Sequence, residues 1–181
     1  EGQEVNYSGE VYLRGANLED VRGQRASFGG AHLERTRWTW AELEECNFVS
    51  AYLAQAIFGV CNLDRCNFSD VILRGTSFTA SSLRGAKFMH SHLQGCGFRA
   101  VITDGATIIW ECMIDEETDF TGVSLDSIRI DPGTKQALEY AIRRRNWERW
   151  YRVGKPDYAL RRDETVRERQ QRKAQEIRRG A

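Results

Sequence analysis

The chain has 181 residues, and its 26 basic and 26 acidic side chains give a formal net charge of zero. No apolar run reaches the roughly 18–20 residues that a membrane-spanning helix needs. Its five cysteines are an odd number without metal-ligand spacing to histidine, which argues against a disulfide framework or a metal centre.

The charges are unevenly distributed along the chain. Residues 1–130 carry 18 acidic and 11 basic side chains, whereas residues 131–181 carry 8 acidic and 15 basic ones. Such asymmetry predicts an acidic part and a basic part with different partners.

A five-residue period extends from Leu13 to Ile108. A large apolar residue occupies every fifth position except Gly23 and Thr103, and a small residue precedes each by two positions. This period is neither that of a helix nor that of a strand, so it indicates an internal repeat. It predicts that Ile108 faces the core and that Ala106 takes the small inward position.

Sorted by twenty residues, the large side chains fall into columns of constant size, as a packed interior requires. The main core columns are Phe28, Phe48, Phe68 and Phe88; Trp38, Phe58, Phe78 and Phe98; and Leu33, Leu53, Leu73 and Leu93.

Triplets such as Ala16-Asn17-Leu18 and Cys66-Asn67-Phe68 resemble the A(D/N)Lxx unit of the pentapeptide-repeat family. The resemblance covers roughly Val5 to Ile130. It implies an all-β solenoid, a right-handed quadrilateral β-helix over residues 1–130 with twenty residues per coil. Good triplets resume at Thr118 after an offset of two residues, which predicts a register break and a bulged loop within 109–117.

A helix is expected from 134 to 152, where Asp131 or Thr134 can provide the N-cap and Pro132 suits the first helical position. Residues 131–153 either cover the open end of the solenoid, whose strand edges invite aggregation, or form a dimer. Dimerisation is what resemblance to topoisomerase-binding members of the family implies. The candidate residues are Leu138, Tyr140, Ile142, Trp147, Trp150 and Tyr151.

Residues 154–181 form a basic, polar tail after the helix-breaking Gly154-Lys155-Pro156. Its apolar stripe is too thin to pack firmly. We therefore expect a solvated helical or disordered segment, with contact to nucleic acid or an anionic membrane as the alternative. Because the chain begins with Glu1-Gly2 rather than Met, a fragment of a longer protein is compatible with the sequence.

Outward positions on one face are aromatic or apolar in five successive coils: Tyr12, His32, Tyr52, Ile72 and His92. Trp40 and Val60 form a second apolar corner. Exposed apolar stripes mark interfaces, although strand-favouring residues or coverage by the C-terminal segment would give the same pattern.

No catalytic constellation, cofactor motif or metal site is found, so we expect a non-enzymatic protein without cofactors. Four cysteines, Cys46, Cys61, Cys66 and Cys96, take the small inward position, which favours a reducing, cytoplasmic setting. The leading hypothesis is a protein-interaction scaffold whose partner the sequence does not name.

A second hypothesis follows from the family resemblance. Some members protect DNA gyrase by imitating the width and charge of a DNA duplex, which confers fluoroquinolone resistance. Glu42, Glu44, Glu45 and Asp64 on one face, with further acids between Glu111 and Asp119, suit such a topoisomerase-binding mimic. Arginines interrupt this surface, whereas capture of a basic groove needs a continuous negative field.

Overall fold

A computed structural model of the chain describes residues 11–152 and, among these, the side chains of residues 11–147. The chain divides into two compact units, residues 1–144 and 145–181, and the repeats lie in the first. Among the described residues, no helix combines the length and apolar character needed to cross a bilayer.

Parallel pairing between residues twenty apart organises the repeat region. Tyr12 pairs with His32 and His32 with Tyr52, and equivalent bridges recur at every fifth residue. The Leu33 N–H donates to the Tyr52 carbonyl at 2.8 Å, and the Tyr52 N–H donates to the Ala31 carbonyl at 2.9 Å. Because each coil satisfies its backbone groups on the next one, the repeats form a parallel β-solenoid.

Two-residue turns connect the successive segments of each coil. The Ala51 N–H closes one such turn on the Phe48 carbonyl at 3.0 Å. The second turn residue has a φ near +60° in register after register, and it is usually not glycine. Glycine adopts this left-handed conformation freely at Gly15 and Gly75. Residues with a Cβ are destabilised in it, because the Cβ approaches the backbone too closely.

The large apolar columns fill the interior of the solenoid, and every member from Phe28 to Phe98 is buried. Phe48 stacks on Phe68 with 4.8 Å between ring centroids, and Phe58 stacks on Phe78 at 5.4 Å. The two aromatic columns also meet edge to face, as Phe68 and Phe78 do at 5.5 Å. These are the arrangements that aromatic quadrupoles favour.

Several of the small inward positions are serine or threonine, whose hydroxyl groups donate to backbone carbonyls. Thr76 Oγ1 lies 2.7 Å from the Leu53 carbonyl oxygen, and Ser81 Oγ lies 2.8 Å from that of Phe58. Each buried hydroxyl therefore has a partner, which removes the cost of burying it.

The sequence predicts one two-residue break within 109–117, whereas the structure shows two separate shifts of one residue each. Partners twenty residues apart become twenty-one and then twenty-two apart: Lys87 with Ile108, His92 with Met113, and Gly97 with Asp119. One extra residue is therefore accommodated within 103–107 and another within 114–118. Each corner absorbs its insertion separately, so the ladder on either side stays intact.

The first shift corrects two predicted positions. Ile109 is buried and Ile108 points outward, and Thr107 rather than Ala106 takes the small inward position. Thr107 Oγ1 donates to the Leu83 carbonyl at 2.9 Å, as its counterparts do in earlier coils.

Both insertions carry the same Asp-x-x-Thr motif. The Oδ1 atom of Asp104 accepts N–H groups from Gly85 at 2.9 Å, Ala106 at 3.0 Å and Thr107 at 3.1 Å. Asp115 repeats this pattern in the second insertion, where Oδ1 accepts the Gly95 N–H at 2.8 Å. The carboxylate thus replaces the backbone acceptors that the extra residue displaces.

Three short strands become regular where the repeats end: β1 (Lys87–Met89), β2 (Ile108–Trp110) and β3 (Arg129–Ile130). They pair in parallel in the order β1-β2-β3. A 3-10 turn at Leu125–Ser127 precedes β3, and helix α1 follows it at Pro132–Arg152.

Helix α1 begins at Pro132, two residues before the predicted start. Asp131 is its N-cap, because Oδ1 of Asp131 accepts the Thr134 N–H at 3.0 Å and its carbonyl accepts the Lys135 N–H at 2.9 Å. Leu138 is buried in the same apolar cluster as the solenoid core. The first part of α1 therefore packs on the last repeats.

We predict that Asp104→Ala lowers the free energy of unfolding by about 1–3 kcal/mol, because the Gly85 and Ala106 N–H groups lose their acceptor and the Thr107 N–H keeps only the backbone carbonyl of residue 104. Hydrogen bonds led by that of the Gly85 N–H lower the pKa of Asp104 below its ordinary value of 3.8. The stabilisation is therefore present above this value and lost as the pH falls through the lowered pKa. Urea unfolding at pH 7 and pH 3 measures both effects.

The matched control is Asp126→Ala, which removes an exposed carboxylate 3.1 Å from Lys135 Nζ. Surface ion pairs contribute little, so this change should cost less than about 0.5 kcal/mol. Equal losses for the two variants at pH 7, or a difference that does not shrink at pH 3, would contradict the role given to Asp104.

Candidate interaction surfaces

The outward face predicted from Tyr12 to His92 is a continuous column in the structure, and it gains one member. Its residues pair in sequence across six coils: Tyr12, His32, Tyr52, Ile72, His92 and Met113. We call these six residues the ladder column. The sequence prediction omitted Met113 because the extra residue within 103–107 moves it into this register.

Ring stacking orders one end of the ladder column. Tyr12 and His32 lie 4.7 Å apart with an interplanar angle of 13°, and His32 and Tyr52 lie 4.5 Å apart at 3°. The column nevertheless remains accessible, since Tyr12 is 66% exposed and Met113 is 50% exposed. Stacked side chains have already lost rotamer freedom, so a partner would bind a surface that is largely ordered beforehand.

Charged groups border the ladder column. Glu34 lies 3.7 Å from His32 Nδ1 and 3.7 Å from Arg14 Nε. Arg74 Nη2 lies 3.4 Å from His92 Nδ1. His32 and His92 are separated by Tyr52 and Ile72, so the two imidazoles do not converge on one reacting atom.

The second predicted surface lies at a corner after the Trp38 core position. Trp40 and Val60 are both more than half exposed, and Ile57 is 41% exposed beside them. Trp40 and Val60 also have positive φ angles of 61° and 57°. A β-branched residue is rare in this conformation. Neither burial nor turn geometry therefore explains why a valine occupies position 60.

Acidic side chains on the next face are paired with arginines of adjacent coils. Arg25 Nε lies 3.0 Å from Glu45 Oε2, and Arg65 contacts both Glu44 and Glu45. Arg84 pairs in the same way with Asp64 at 3.8 Å. This face therefore alternates in sign along the coils.

The acidic residues of the second insertion serve mostly local roles. Asp115 caps its own loop, Glu116 contacts Arg144, and Asp119 Oδ1 accepts the Thr121 N–H at 2.9 Å. Glu111 lies 3.2 Å from His90 Nδ1. The carboxylates therefore stabilise backbone and neighbours around the register shift.

The buried cysteines are structural donors. Cys66 Sγ lies 2.9 Å from the Leu43 carbonyl oxygen, and Cys112, which the sequence prediction left out of the small register, lies 3.2 Å from that of Phe88. Burial raises the pKa of Cys61 to about 11 and that of Cys96 to about 12, which keeps both thiols protonated and unreactive. Within the described residues, no group of three potential ligands is placed to hold a metal ion.

The candidate cap and dimer residues divide between two faces of α1. Leu138 and Ala141 are buried and Ile142 is half-buried, whereas Tyr140 is 57% exposed. Trp147 is also exposed. The side chains of Trp150 and Tyr151, and the whole basic tail from residue 154, lie outside the described residues.

Comparison with known proteins identifies the repeats. The family model described as "Pentapeptide repeat region" matches residues 31–108. No curated protein sequence matches the chain. Similar solved structures include a pentapeptide repeat protein from the Arabidopsis thaliana thylakoid lumen, with 19% identity and a TM-score of 0.39 over 66% of this chain and 68% of that one.

Two further solved structures are similar. A pentapeptide repeat protein from Nostoc has 18% identity and a TM-score of 0.36, with 72% of this chain and 100% of that one covered. A trypsin-treated form of QnrB1, a plasmid-mediated fluoroquinolone resistance protein, has 18% identity and a TM-score of 0.33 over 77% and 96% of the two chains.

We predict that Val60→Gly stabilises the protein by about 0.5–1 kcal/mol, because relief of the left-handed Val backbone outweighs the entropy that glycine adds to the unfolded chain. Val49→Gly is the control, since Val49 is a turn residue outside the positive-φ positions. It should destabilise by a similar amount. Thermal unfolding measures the stability of both variants. A loss of stability in Val60→Gly would contradict the claim that the backbone is strained at Val60.

Proposed function

Because residues 31–108 form a pentapeptide repeat region, we propose that this chain is a non-enzymatic protein-interaction scaffold. The observation that carries the proposal is the ladder column, in which partly or fully exposed aromatic and aliphatic residues pair in register over six coils and the rings of Tyr12, His32 and Tyr52 stack. Tyrosine side chains supply a large contact area and lose little conformational entropy on binding, which is why they are common in binding hot spots.

The filled interior supports this proposal over a catalytic one. Small-molecule sites are usually concave. The buried side chains of the columns from Phe28 to Phe98 instead fill the solenoid interior. Binding would therefore take place on the outer faces. We further propose that each coil is four-sided, which the four bridges per twenty residues support, and right-handed, as the resemblance to pentapeptide-repeat proteins implies.

We assign the first part of α1 to capping, on the strength of the buried Leu138 and Ala141. A cap covers the unpaired edge of the last coil and so limits stacking of one molecule on another. Dimerisation through Tyr140 or through the ladder column is the alternative use of these surfaces. The protonated, buried thiols fit a reducing compartment, and we propose the cytoplasm.

A DNA mimic that binds a type II topoisomerase is the competing function. The pairing of Glu44 and Glu45 with Arg25 and Arg65 weakens it, since it breaks the negative field along the coils. A mimic should protect gyrase in a supercoiling assay and lose this effect as salt rises. Binding of nucleic acid or membrane through residues 155–181 should instead disappear when that segment is deleted.

We predict that the double change Tyr52→Ser and Ile72→Ser abolishes retention of the partner protein by the immobilised chain, with little change in thermal unfolding. Both side chains lie on the outside of the solenoid, so their loss removes contact area and leaves the core intact. Affinity capture from native lysate measures partner retention, and sedimentation velocity measures self-association.

The control is Ile102→Ser, which changes an exposed apolar residue at the equivalent bridge position of another segment. This variant should retain the partner at the wild-type level. Unchanged retention by the double variant, or equal loss in both variants, would refute the ladder column as the binding surface.

A further inference from the structure

A groove on the outer face of the three-stranded sheet is a second candidate binding site, separate from the ladder column. It has a volume of about 350 Å³ and is lined by Met89, Ile108, Trp110 and Arg129. Trp110 is 39% exposed at its wall. Its floor is apolar, so water in the groove is readily displaced by an apolar side chain.

Two cations flank the apolar floor. Strand register places Lys87 directly beside Ile108 on one side and Arg129 directly beside it on the other. Both cations are exposed. Neither forms an ion pair with a carboxylate of the described residues, whereas Arg25, Arg37, Arg65 and Arg84 all do.

Nearby carboxylates are already engaged. Asp131 accepts N–H groups from Thr134 and from Glu111, the latter at 2.8 Å. The Glu111 side chain lies beside His90. These carboxylates remain charged, but their oxygens are directed to N–H groups and to His90, so Lys87 and Arg129 are the charged groups beside the groove that have no ion pair among the described residues. The two cations bracket an apolar centre.

We propose that this groove binds an acidic peptide segment of a partner protein, in which two acidic residues flank a pair of large apolar residues. Lys87 and Arg129 are two coils apart, about 10 Å at the ordinary strand spacing. In a peptide with polyproline II geometry, which has three residues per turn and rises about 3.1 Å per residue, acidic residues three positions apart lie on the same face about 9 Å apart. The two apolar residues between them then project to either side of that face, where one contacts Ile108 and Trp110.

The test uses a fluorescein-labelled, end-blocked peptide with the core Glu-Leu-Phe-Glu and measures its anisotropy with the full chain. The double variant Lys87→Glu and Arg129→Glu should weaken binding at least about tenfold, because two charge-assisted contacts become repulsive. Trp110→Ser should weaken it as well. A Gln-Leu-Phe-Gln peptide should bind far less tightly than the acidic one.

Two controls make the result specific. The double variant Arg22→Glu and Arg99→Glu has the same charge change at exposed arginines without an ion pair to the described residues, and it should bind the peptide normally. Tyr52→Ser should also bind normally, which separates this site from the ladder column. The proposal is overturned if the acidic peptide shows no saturable binding, if both charge-reversal variants weaken it equally, or if the neutral peptide binds as well.

Discussion

The twenty-residue backbone ladder is the constraint on which the rest of the structure depends. Each outward residue of a bridge uses both its N–H group and its carbonyl to pair with the coil before it, as Tyr52 does with Ala31 and Leu33. A coil with one extra residue would leave backbone groups at the insertion without their usual partners in the neighbouring coil, and unpaired buried groups destabilise the fold. At both insertions a side chain supplies the missing acceptor: Asp104 accepts the Gly85 N–H and Asp115 accepts the Gly95 N–H.

The same ladder determines what the surface looks like. Since residues twenty apart are neighbours, any property repeated with that spacing becomes a continuous stripe on the outside. The stacked rings of Tyr12, His32 and Tyr52 form one stripe, and the alternating ion pairs of Arg25, Glu45 and Arg65 form another. The solenoid thus presents several distinct linear surfaces around one continuous core.

Much of the fold could be predicted from periodicity, because the buried columns need large side chains at fixed intervals. The two register shifts could not be located that way. Ile108 and Ile109 are identical, and Ala106 and Thr107 are both small, so size alone does not reveal which member faces inward. The Asp-x-x-Thr motif, present at Asp104, Asp115 and Asp131, was the available signal.

Because the register shifts could not be located from the sequence, the surface and core residues that follow them could not be assigned either. Met113 and Cys112 enter their registers only after the first shift, and Trp110 becomes a groove wall only because Ile109 turns inward. The exposed ladder residues from Tyr12 to His92, by contrast, follow directly from the uninterrupted period. The ion pairs between surface acidic residues and arginines could not be predicted, because they depend on side-chain conformation as well as on the spacing of residues in the sequence.

Hydroxyl-radical footprinting of the free chain and of the chain bound to its captured partner tests the central claim most directly. The account predicts that Tyr12, Tyr52, His92 and Met113, whose side chains react readily when exposed, become protected together on binding, while the buried Phe68 stays unreactive in both states. Protection confined to other faces, with these four residues unchanged, would contradict it.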